Sequence, residues 1–244
     1  LKSADDMARI AEAGRILNTI FSGLSRQDLV SHTTLEVDSW IQHTIRACRA
    51  RSAFETVNGY GHASCISLND EAVHGVPSRR RRIQNGDVVS IDIGVVKNGY
   101  FADACRTFVA GIAVKDVALF VHRAREILDA GLSRIRPGLP LYELGRTFET
   151  EASAHGYSVL KQFTGHGVGY SLHEAPVILH YHDPAHGLPL QEGMVIALEP
   201  VVAQKPCDVQ KDADGWTVKT VDGTLTAQFE ETVAVTKDGP RILT

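Results

Sequence analysis

The sequence predicts an α+β protein with two similar halves, each ordered helix, helix, strands, around a central antiparallel sheet. In each half an acid lies shortly after a glycine, and the stretch between them is mostly apolar. These residues are Gly86 and Asp92 in the first half and Gly193 and Glu199 in the second, with identical spacing within the two pairs. A short identity supports the repeat, because Gly23-Leu-Ser-Arg recurs as Gly131-Leu-Ser-Arg at nearly the same interval. A duplicated unit with a pseudo-twofold axis explains both observations.

The domain organisation follows from the spacing of the repeat. We predict one catalytic domain over residues 1–244, with halves at about 1–112 and 113–244, because no linker longer than a turn separates them. The functional site is expected where the halves meet.

Apolar positions at helical spacing predict four helices. The predicted ranges are 4–26, a second helix capped by Thr34, 115–135 and 141–156. Arg136-Pro-Gly and His155-Gly mark the ends of the last two, since glycine and proline stop helices.

The remaining segments predict strands. A loop rich in glycine and histidine, with short strands, covers 58–76, and Lys97-Asn98-Gly99 is a hairpin signal between strands at 87–96 and 101–110. Further strands are predicted near 158–162, 177–180, 194–202, 215–219 and 226–236. A longer loop around 208–222 accounts for about 20 extra residues in the second half.

Composition excludes several classes of protein. The 244 residues are 43% hydrophobic, enough for a sizeable core, and the net charge of -4 indicates neither nucleic-acid wrapping nor disorder. No apolar run approaches the about 20 residues that span a bilayer, and the first residues lack the features of a secretory signal. We therefore expect a cytoplasmic protein without a membrane partner. The cysteines are expected to be reduced thiols, and they are Cys48, Cys65, Cys105 and Cys207.

A second acid follows each matched strand, Asp103 after Asp92 and Glu230 after Glu199. With a turn near 97–99, Asp92 and Asp103 are expected opposite or nearly opposite one another, with Cβ atoms about 4.5–5.5 Å apart. A lone ionised carboxylate in an apolar interior is costly unless it is paired or bound to a metal. Four carboxylates in two matched pairs predict a shared cation site. The alternative is four structural acids, each paired with Arg or Lys.

His166 is the candidate nitrogen ligand, because the glycines around it allow close approach of backbone and solute. His173 and His74 are further candidates, better suited to act as acids or hydrogen-bond donors to substrate. Carboxylates with one imidazole favour Mn, Fe, Co or Zn over thiolate-seeking metals. Two such ions about 3.5–4 Å apart activate a bridging water, so the chemistry indicated is metal-assisted hydrolysis.

Seven polar positions, in order along essentially the whole chain, resemble the type I methionine aminopeptidases. The motifs are Asn69-Asp-Glu-Ala-Val-His74-Gly-Val-Pro, Ile91-Asp92 with Gly99-Tyr-Phe-Ala-Asp103, Gly165-His166-Gly-Val-Gly, His173-Glu-Ala-Pro, Leu198-Glu199-Pro and Gln228-Phe-Glu230. The resemblance implies the pita-bread fold, in which pseudo-symmetric halves flank a dinuclear metal site. It implies removal of N-terminal methionine from nascent proteins and peptides with a small second residue, by attack of a metal-bridging water or hydroxide.

The resemblance also implies roles for individual residues. The metal ligands would be Asp92, Asp103, His166, Glu199 and Glu230, holding two divalent ions of Co, Mn, Fe or Zn. His74 would contact the scissile-bond side of the substrate, and His173 would hold the carbonyl oxygen as it becomes an oxyanion. Glu199 would also handle the proton of the attacking water. The substrate's α-amine would bind a metal, and the protein would be a monomer.

By motif position, the wall of the methionine pocket comprises Tyr60, Cys65, Leu172 and Trp216, with ordinary loop packing as the alternative for Trp216. The chain departs from the family pattern at four places. These are Leu172 in place of a common Phe, Asn58 in place of a common His, Glu231 in place of a frequent His, and Gly61-His62 in place of a Pro-containing turn. Leu172 is expected to widen or soften the pocket.

The run Arg79-Arg-Arg-Arg82 has two interpretations, a solvated loop or an electrostatic contact with ribosomal RNA near the nascent-chain exit. Two other functions compete with the main one. A prolidase or aminopeptidase P relative would share the ligand set and cleave X-Pro bonds, but those proteins usually carry an additional N-terminal domain. A non-catalytic binding homologue would have lost ligands, whereas all five, and both histidines, are present here.

Overall fold

Four α-helices form where apolar residues recur at helical spacing, in a computed structural model that describes all residues 1–244. They are α1 (Ala4–Leu24), α2 (Thr34–Ala47), α3 (Lys115–Arg134) and α4 (Leu141–Ala154). The four predicted helices are confirmed, and their ends lie close to the expected positions.

The N-cap of α2 is Thr33 and not the predicted Thr34. The Thr33 hydroxyl accepts from the backbone N–H of Glu36 at 3.2 Å, and the Glu36 carboxylate accepts from the backbone N–H of Thr33 at 2.7 Å. This reciprocal capping box satisfies two donors that have no partner inside the helix. Thr34 is the first helical residue, fully buried against the core.

Fifteen strands pair only in antiparallel fashion, and a 3-10 helix covers Ala53–Thr56. The first half contains β1 (Arg51–Ser52), β2 (Cys65–Leu68), β3 (Glu71–Val73), β4 (Val88–Lys97) and β5 (Tyr100–Val109). The second half contains β6 (Ser158–Val159), β7 (Thr164–Gly167), β8 (Glu174–Leu179), β9 (Val195–Leu198), β10 (Val201–Ala203), β11 (Val209–Lys211), β12 (Val218–Thr220), β13 (Thr226–Gln228), β14 (Glu231–Thr236) and β15 (Gly239–Ile242).

Four sheets result. Their strand orders are β1-β4-β2 with β5 on β4, β11-β12-β3, β13-β10-β6 and β15-β14-β9-β7-β8. The sequence did not predict β1, β7, β11 or β15. Glycine has low strand propensity, so Thr164-Gly-His-Gly gives little local signal, and pairing with β8 and β9 on both sides makes β7 a strand. The predicted strands 194–202 and 226–236 are each broken in two, at Glu199-Pro200 and at Phe229-Glu230.

The hairpin of β4 and β5 corrects the expected pairing of the two aspartates. Its turn is the pair Asn98-Gly99, both with positive φ (52° and 84°), so Lys97 pairs with Tyr100. Asp92 therefore faces Cys105, and Asp103 faces Gly94. The carboxylates are diagonal neighbours on one face, because alternate side chains of a strand point the same way.

The internal repeat has a direct counterpart in helix packing. Gly23 of α1 faces the Trp40 ring of α2, and a Cβ built on Gly23 would lie 2.6 Å from that ring. Gly131 of α3 likewise faces the Phe148 ring of α4, where a Cβ would lie 2.1 Å away. The interval from Gly23 to Gly131 equals the interval from Trp40 to Phe148, so each half joins its helices through the same glycine-aromatic contact.

The register also corrects the matching of the second acids. Glu231 pairs with Leu198 as Arg106 pairs with Ile91, and Leu198 and Ile91 directly precede the matched acids Glu199 and Asp92. Glu230 therefore corresponds to Cys105 and not to Asp103. The first acid of each half obeys the repeat, whereas the second acids reach the site from different positions of their strands.

Strand β9 separates two hydrophobic cores. Its residues Val195 and Ala197 pack into the core beneath α1 and α2, while Ile196 and Leu198 pack into the core beneath α3 and α4. Alternate side chains of a strand point to opposite faces, so a buried strand lies between the cores.

The boundary of the halves near residue 112 and the single catalytic domain stay predictions.

The halves meet where β5 runs beside β13 and β14. The Thr232 hydroxyl donates to the carbonyl of Asp103 at 2.8 Å and accepts from its N–H at 3.0 Å. The N–H of Glu230 donates to the carbonyl of Cys105 at 3.0 Å. This seam brings acids from both halves together.

None of the helices combines the length and apolar character required of a membrane span.

Candidate metal centre

Five polar side chains converge at the seam between the halves. Asp92 extends from β4, Asp103 from β5 and His166 from β7, whereas Glu199 and Glu230 lie at the two strand interruptions. Both interruptions are at the same level, since Val201 pairs with Gln228 just beyond them and Leu198 pairs with Glu231 just before. Pro200 has no N–H to donate to a ladder, which favours the break after Glu199.

The predicted ligands lie within reach of a common cation. One ligand atom each from Asp103, His166 and Glu230 lies within 4.8 Å of the others. Nε2 of His166 lies 3.3 Å from Oε1 of Glu199. Asp92, Asp103, His166 and Glu199 line one cavity of about 180 Å³, and Glu230 is buried. The structure thus brings together all five residues.

The four acids of this cluster are not structural acids that are each paired with an arginine or lysine. No ion pair with a lysine or arginine is formed by any of them, that is, by Asp92, Asp103, Glu199 or Glu230. Burial raises the pKa of Asp103 to about 7, and burial with repulsion from neighbouring carboxylates raises the pKa of Asp92 well above its usual range. Burial acts in the same direction on the pKa values of Glu199 and Glu230.

Two carboxylate oxygens in the cluster, Oδ1 of Asp92 and Oε1 of Glu230, are buried and have no hydrogen-bond partner. Buried acceptors without partners are rare in native proteins, because each loses its hydration without replacement. Divalent cations would satisfy these oxygens and neutralise the carboxylates, so the residues present fit a metal.

The tautomer of His166 suits a ligand. Its Nδ1 donates to the carbonyl of Gly167 at 2.9 Å, which leaves the lone pair on Nε2 pointing to the cluster. Burial lowers the pKa of His166 to about 4, so the ring is neutral near pH 7.

An apolar pocket extends from the cluster. Its lining includes the predicted residues Tyr60, Cys65, Leu172 and Trp216 together with Phe54 and Val57. Tyr60 is fixed by donation from its hydroxyl to the carbonyl of Ser64 at 2.8 Å. The rings of Tyr60 and Trp216 meet edge to face with centroids 5.2 Å apart. Trp216 therefore both packs against Tyr60 and lines the pocket.

His74 and His173 lie at the entrance, where this pocket joins an open cavity of about 570 Å³. The rings of His173 and His166 are 4.5 Å apart. His74 has φ of +58°, a strained conformation for a non-glycine residue, and such strain concentrates at functional sites. Its neighbour must be glycine, since a Cβ on Gly75 would lie 2.2 Å from the carbonyl oxygen of Ile66.

Sequence reasoning missed two residues that hold Glu199. Nε2 of Gln228 donates to Oε2 of Glu199 at 3.1 Å, and Nε2 of His180 accepts from the Glu199 backbone N–H at 3.4 Å. Gln228 could have been found from its place just before Glu230 in the same motif. His180 gave no signal, because it is a lone histidine after an apolar strand. Its burial lowers its pKa to about 3, which keeps the acceptor nitrogen unprotonated.

The departure at Glu231 also has a structural explanation. Arg106 and Arg125 each donate to its carboxylate at 2.8 Å, and the Thr244 hydroxyl donates at 2.6 Å. Arg106 donates in addition to the carbonyl of Glu230 at 2.5 Å. The network therefore fixes the backbone at Glu230 from behind the cluster.

Comparison with known proteins shows which class of enzyme this chain belongs to. The model of metallopeptidase family M24 matches residues 8–237, and the chain belongs to this family. It is a metal-dependent hydrolase, as the convergence of buried carboxylates with one imidazole predicts.

Within the family, the chain is similar to methionine aminopeptidases over its whole length. It is 37% identical over 243 residues to methionine aminopeptidase 1 of Bacillus subtilis, covering 100% of this chain and 98% of that protein. A crystal structure of methionine aminopeptidase from Thermotoga maritima superposes with a TM-score of 0.96 at 32% identity, covering 100% and 98% of the two chains. These similarities confirm the resemblance and the pita-bread fold predicted from the sequence.

A prolidase from Pyrococcus furiosus shares the fold with a TM-score of 0.81 at 25% identity, and this chain covers 65% of that longer protein. The lower similarity does not favour the X-Pro alternative. The assignments of individual ligands and substrate-contacting residues stay predictions.

Proposed function

We propose that the protein is an aminopeptidase that removes N-terminal methionine from nascent proteins and peptides whose second residue is small. One observation carries this proposal: the acid cluster lies between a narrow apolar pocket and an open cavity. A methionine side chain fits the first and the rest of the peptide extends into the second, which places the first peptide bond at the cluster. The sequence similarity to methionine aminopeptidases supports the same activity.

The five converging residues would hold two divalent ions, drawn from Co, Mn, Fe or Zn. When bound, such ions lower the pKa of a coordinated water and polarise a carbonyl. The free α-amine of the substrate would bind one of these ions, which would restrict cleavage to the first residue.

The chain's own groups would orient the reaction. Gln228 and His180 hold Glu199, so its Oε1 remains directed to the cluster, where it accepts the proton of the attacking water. His173 donates to the carbonyl oxygen of the scissile bond, where negative charge develops. His74 lines the same entrance and would contact the scissile-bond side of the substrate. Buried neutral Cys65 presents a polarizable sulfur to the methionine thioether.

The test of this function is turnover of three peptides after metal removal and stepwise addition of Mn, Fe and Co. Met-Ala-Ser is expected to be cleaved only with metal, Met-Lys-Ser much more slowly, and Ala-Pro not at all. Preference for Ala-Pro would establish the X-Pro alternative. Metal binding without cleavage of any peptide would establish a non-catalytic homologue.

Leu172 tests the methionine pocket. Its side chain lies against Gly94 and lines the pocket, so Leu172→Phe would narrow the space beside the methionine side chain. We expect the variant to improve discrimination of Met-initiated over the branched Leu-initiated peptides by about tenfold in kcat/KM, within the range for a difference of one or two methylenes. Leu188→Phe, at an exposed leucine outside both cavities, is the control. An unchanged preference would show that Leu172 does not widen the pocket.

The four arginines at 79–82 differ in their contacts with the rest of the protein. Arg81 donates to the carbonyls of Val76 at 2.7 Å and Ile66 at 3.0 Å and pairs with Glu71, and Arg82 donates to the carbonyl of Ser31. Only Arg79 and Arg80 are both exposed and without such contacts. A cytoplasmic monomer that acts on nascent chains could use these two to contact ribosomal RNA.

Arg79→Ala/Arg80→Ala is expected to weaken co-sedimentation with ribosomes and to reduce the slope of log affinity against log salt by about two. Arg15→Ala/Arg46→Ala removes two exposed arginines elsewhere and controls for net charge. Binding that is equal for both double variants at all salt concentrations would exclude the contact.

A further inference from the structure

We propose that Lys2 is a positioning residue that acts through Glu174 to hold the loop carrying His173 against the acid cluster. The inference rests on the proposed function, because it assigns Lys2 a part in the same reaction. The His173 loop is defined as residues 169–174, which follow β7 and end at Glu174, the first residue of β8.

The Glu174 carboxylate ties this loop together. Its Oε1 accepts from the backbone N–H groups of Tyr170 at 2.5 Å and Ser171 at 2.9 Å. Its Oε2 accepts from the ammonium of Lys2. One side chain therefore closes the loop on itself with one oxygen and joins it to the N-terminal segment with the other.

The side chain of Lys2 is buried and makes several contacts. Its side chain is 7% exposed, its backbone N–H donates to the carbonyl of Gly193 at 2.7 Å, and its ammonium lies 5.1 Å from the centre of the Tyr170 ring. A Cβ on Gly169 would lie 2.7 Å from Cε of Lys2, so the loop is shaped around this lysine. Burial of an ion pair costs desolvation energy and gives little net stability, but loss of one partner leaves the other charge buried and unpaired.

The loop presents two residues to the site. Leu172 lines the pocket, and the ring of His173 lies 4.5 Å from that of His166. The Ser171 hydroxyl donates to the carbonyl of His173 at 3.1 Å, inside the segment that Glu174 closes. Since His173 directly precedes Glu174, loss of the Lys2 contact would loosen the imidazole. A misplacement of about 1 Å can cost about a hundredfold in rate.

Lys2→Met keeps the length of the side chain and removes its charge. We expect kcat for Met-Ala-Ser to fall about tenfold with KM changed less than about twofold, because His173 stabilises charge that develops only in the transition state. Glu174→Gln retains an acceptor for the loop and removes the anionic partner, and is expected to give a similar fall. The double variant should be no slower than the single variants, since both break one contact.

Two comparisons separate positioning from general stability. In a His173→Ala background, Lys2→Met should have almost no further effect on kcat. Lys161→Met is the matched control, since Lys161 pairs with Glu149 at 2.7 Å and lies 5.0 Å from the Tyr181 ring but is mostly exposed. It should leave kcat unchanged.

The outcomes distinguish the two proposals. An unmodified enzyme that does not cleave Met-Ala-Ser overturns the proposed function. An active enzyme whose Lys2→Met variant retains full kcat, or loses the same factor with and without His173, overturns the role of Lys2. If Lys2→Met does not fold, Glu174→Gln decides by the same comparison.

Discussion

Asp103→Asn is expected to lower kcat for Met-Ala-Ser by about a thousandfold or more, equivalent to about 4 kcal/mol of transition-state stabilisation. Asp103, His166 and Glu230 bring ligand atoms within 4.8 Å of one another, so loss of one anionic oxygen removes a donor from the centre of the proposed metal site. The measurement is kcat at saturating Mn together with calorimetric metal affinity, which should also fall.

Urea unfolding of the metal-free protein tests whether Asp103→Asn loses activity only because it misfolds. Because Asp103 is buried among three other carboxyl groups with no lysine or arginine paired to them, Asn removes a costly charge. The metal-free variant should unfold at the same urea concentration as the unmodified protein or a higher one. Asp116→Asn, in the first turn of α3, is the control and should change neither activity nor metal affinity. Peptide cleavage that survives Asp103→Asn would refute the shared metal site.

Glu231→Leu is expected to lower the free energy of unfolding by about 3 kcal/mol. The carboxylate is 3% exposed and accepts from both Arg106 and Arg125, so the substitution leaves two guanidinium groups without their anion. Arg125 is 29% exposed and keeps contact with Asp129, which places the expected loss at the lower end of the range for buried pairs. Urea unfolding at fixed metal concentration measures it.

Glu126→Leu is the matched control, because Glu126 also pairs with an arginine of α3 but is 41% exposed. Exposed pairs contribute about 0–1 kcal/mol, so its loss should be small. The double variant Glu231→Leu/Arg125→Met should be more stable than Glu231→Leu alone, because it removes one of the two guanidinium groups left without an anion. Equal effects at Glu231 and Glu126 would show that the buried network contributes no more to stability than an exposed ion pair.

The contrast between Asp103 and Glu231 shows where reasoning from the sequence reached its limit. Spacing and the glycine markers sufficed to predict that Asp92 and Asp103 share a site, because both lie on one hairpin. The tight turn at Asn98-Gly99 then made them diagonal neighbours instead of direct partners. The partners of Glu231 could not be predicted, since Arg125 is distant in the chain and lies on another element.

The sequence by itself determined the four helices, the duplication, and the convergence of Asp92, Asp103, Glu199 and Glu230. These follow from local periodicity and from the high cost of burying acids in apolar strands. Only the tertiary structure decided how the cluster is held: His180 and Gln228 on Glu199, the arginines on Glu231, and Lys2 on Glu174. Such contacts join residues far apart in the chain, and a side chain's partner across space leaves no periodic trace in the sequence.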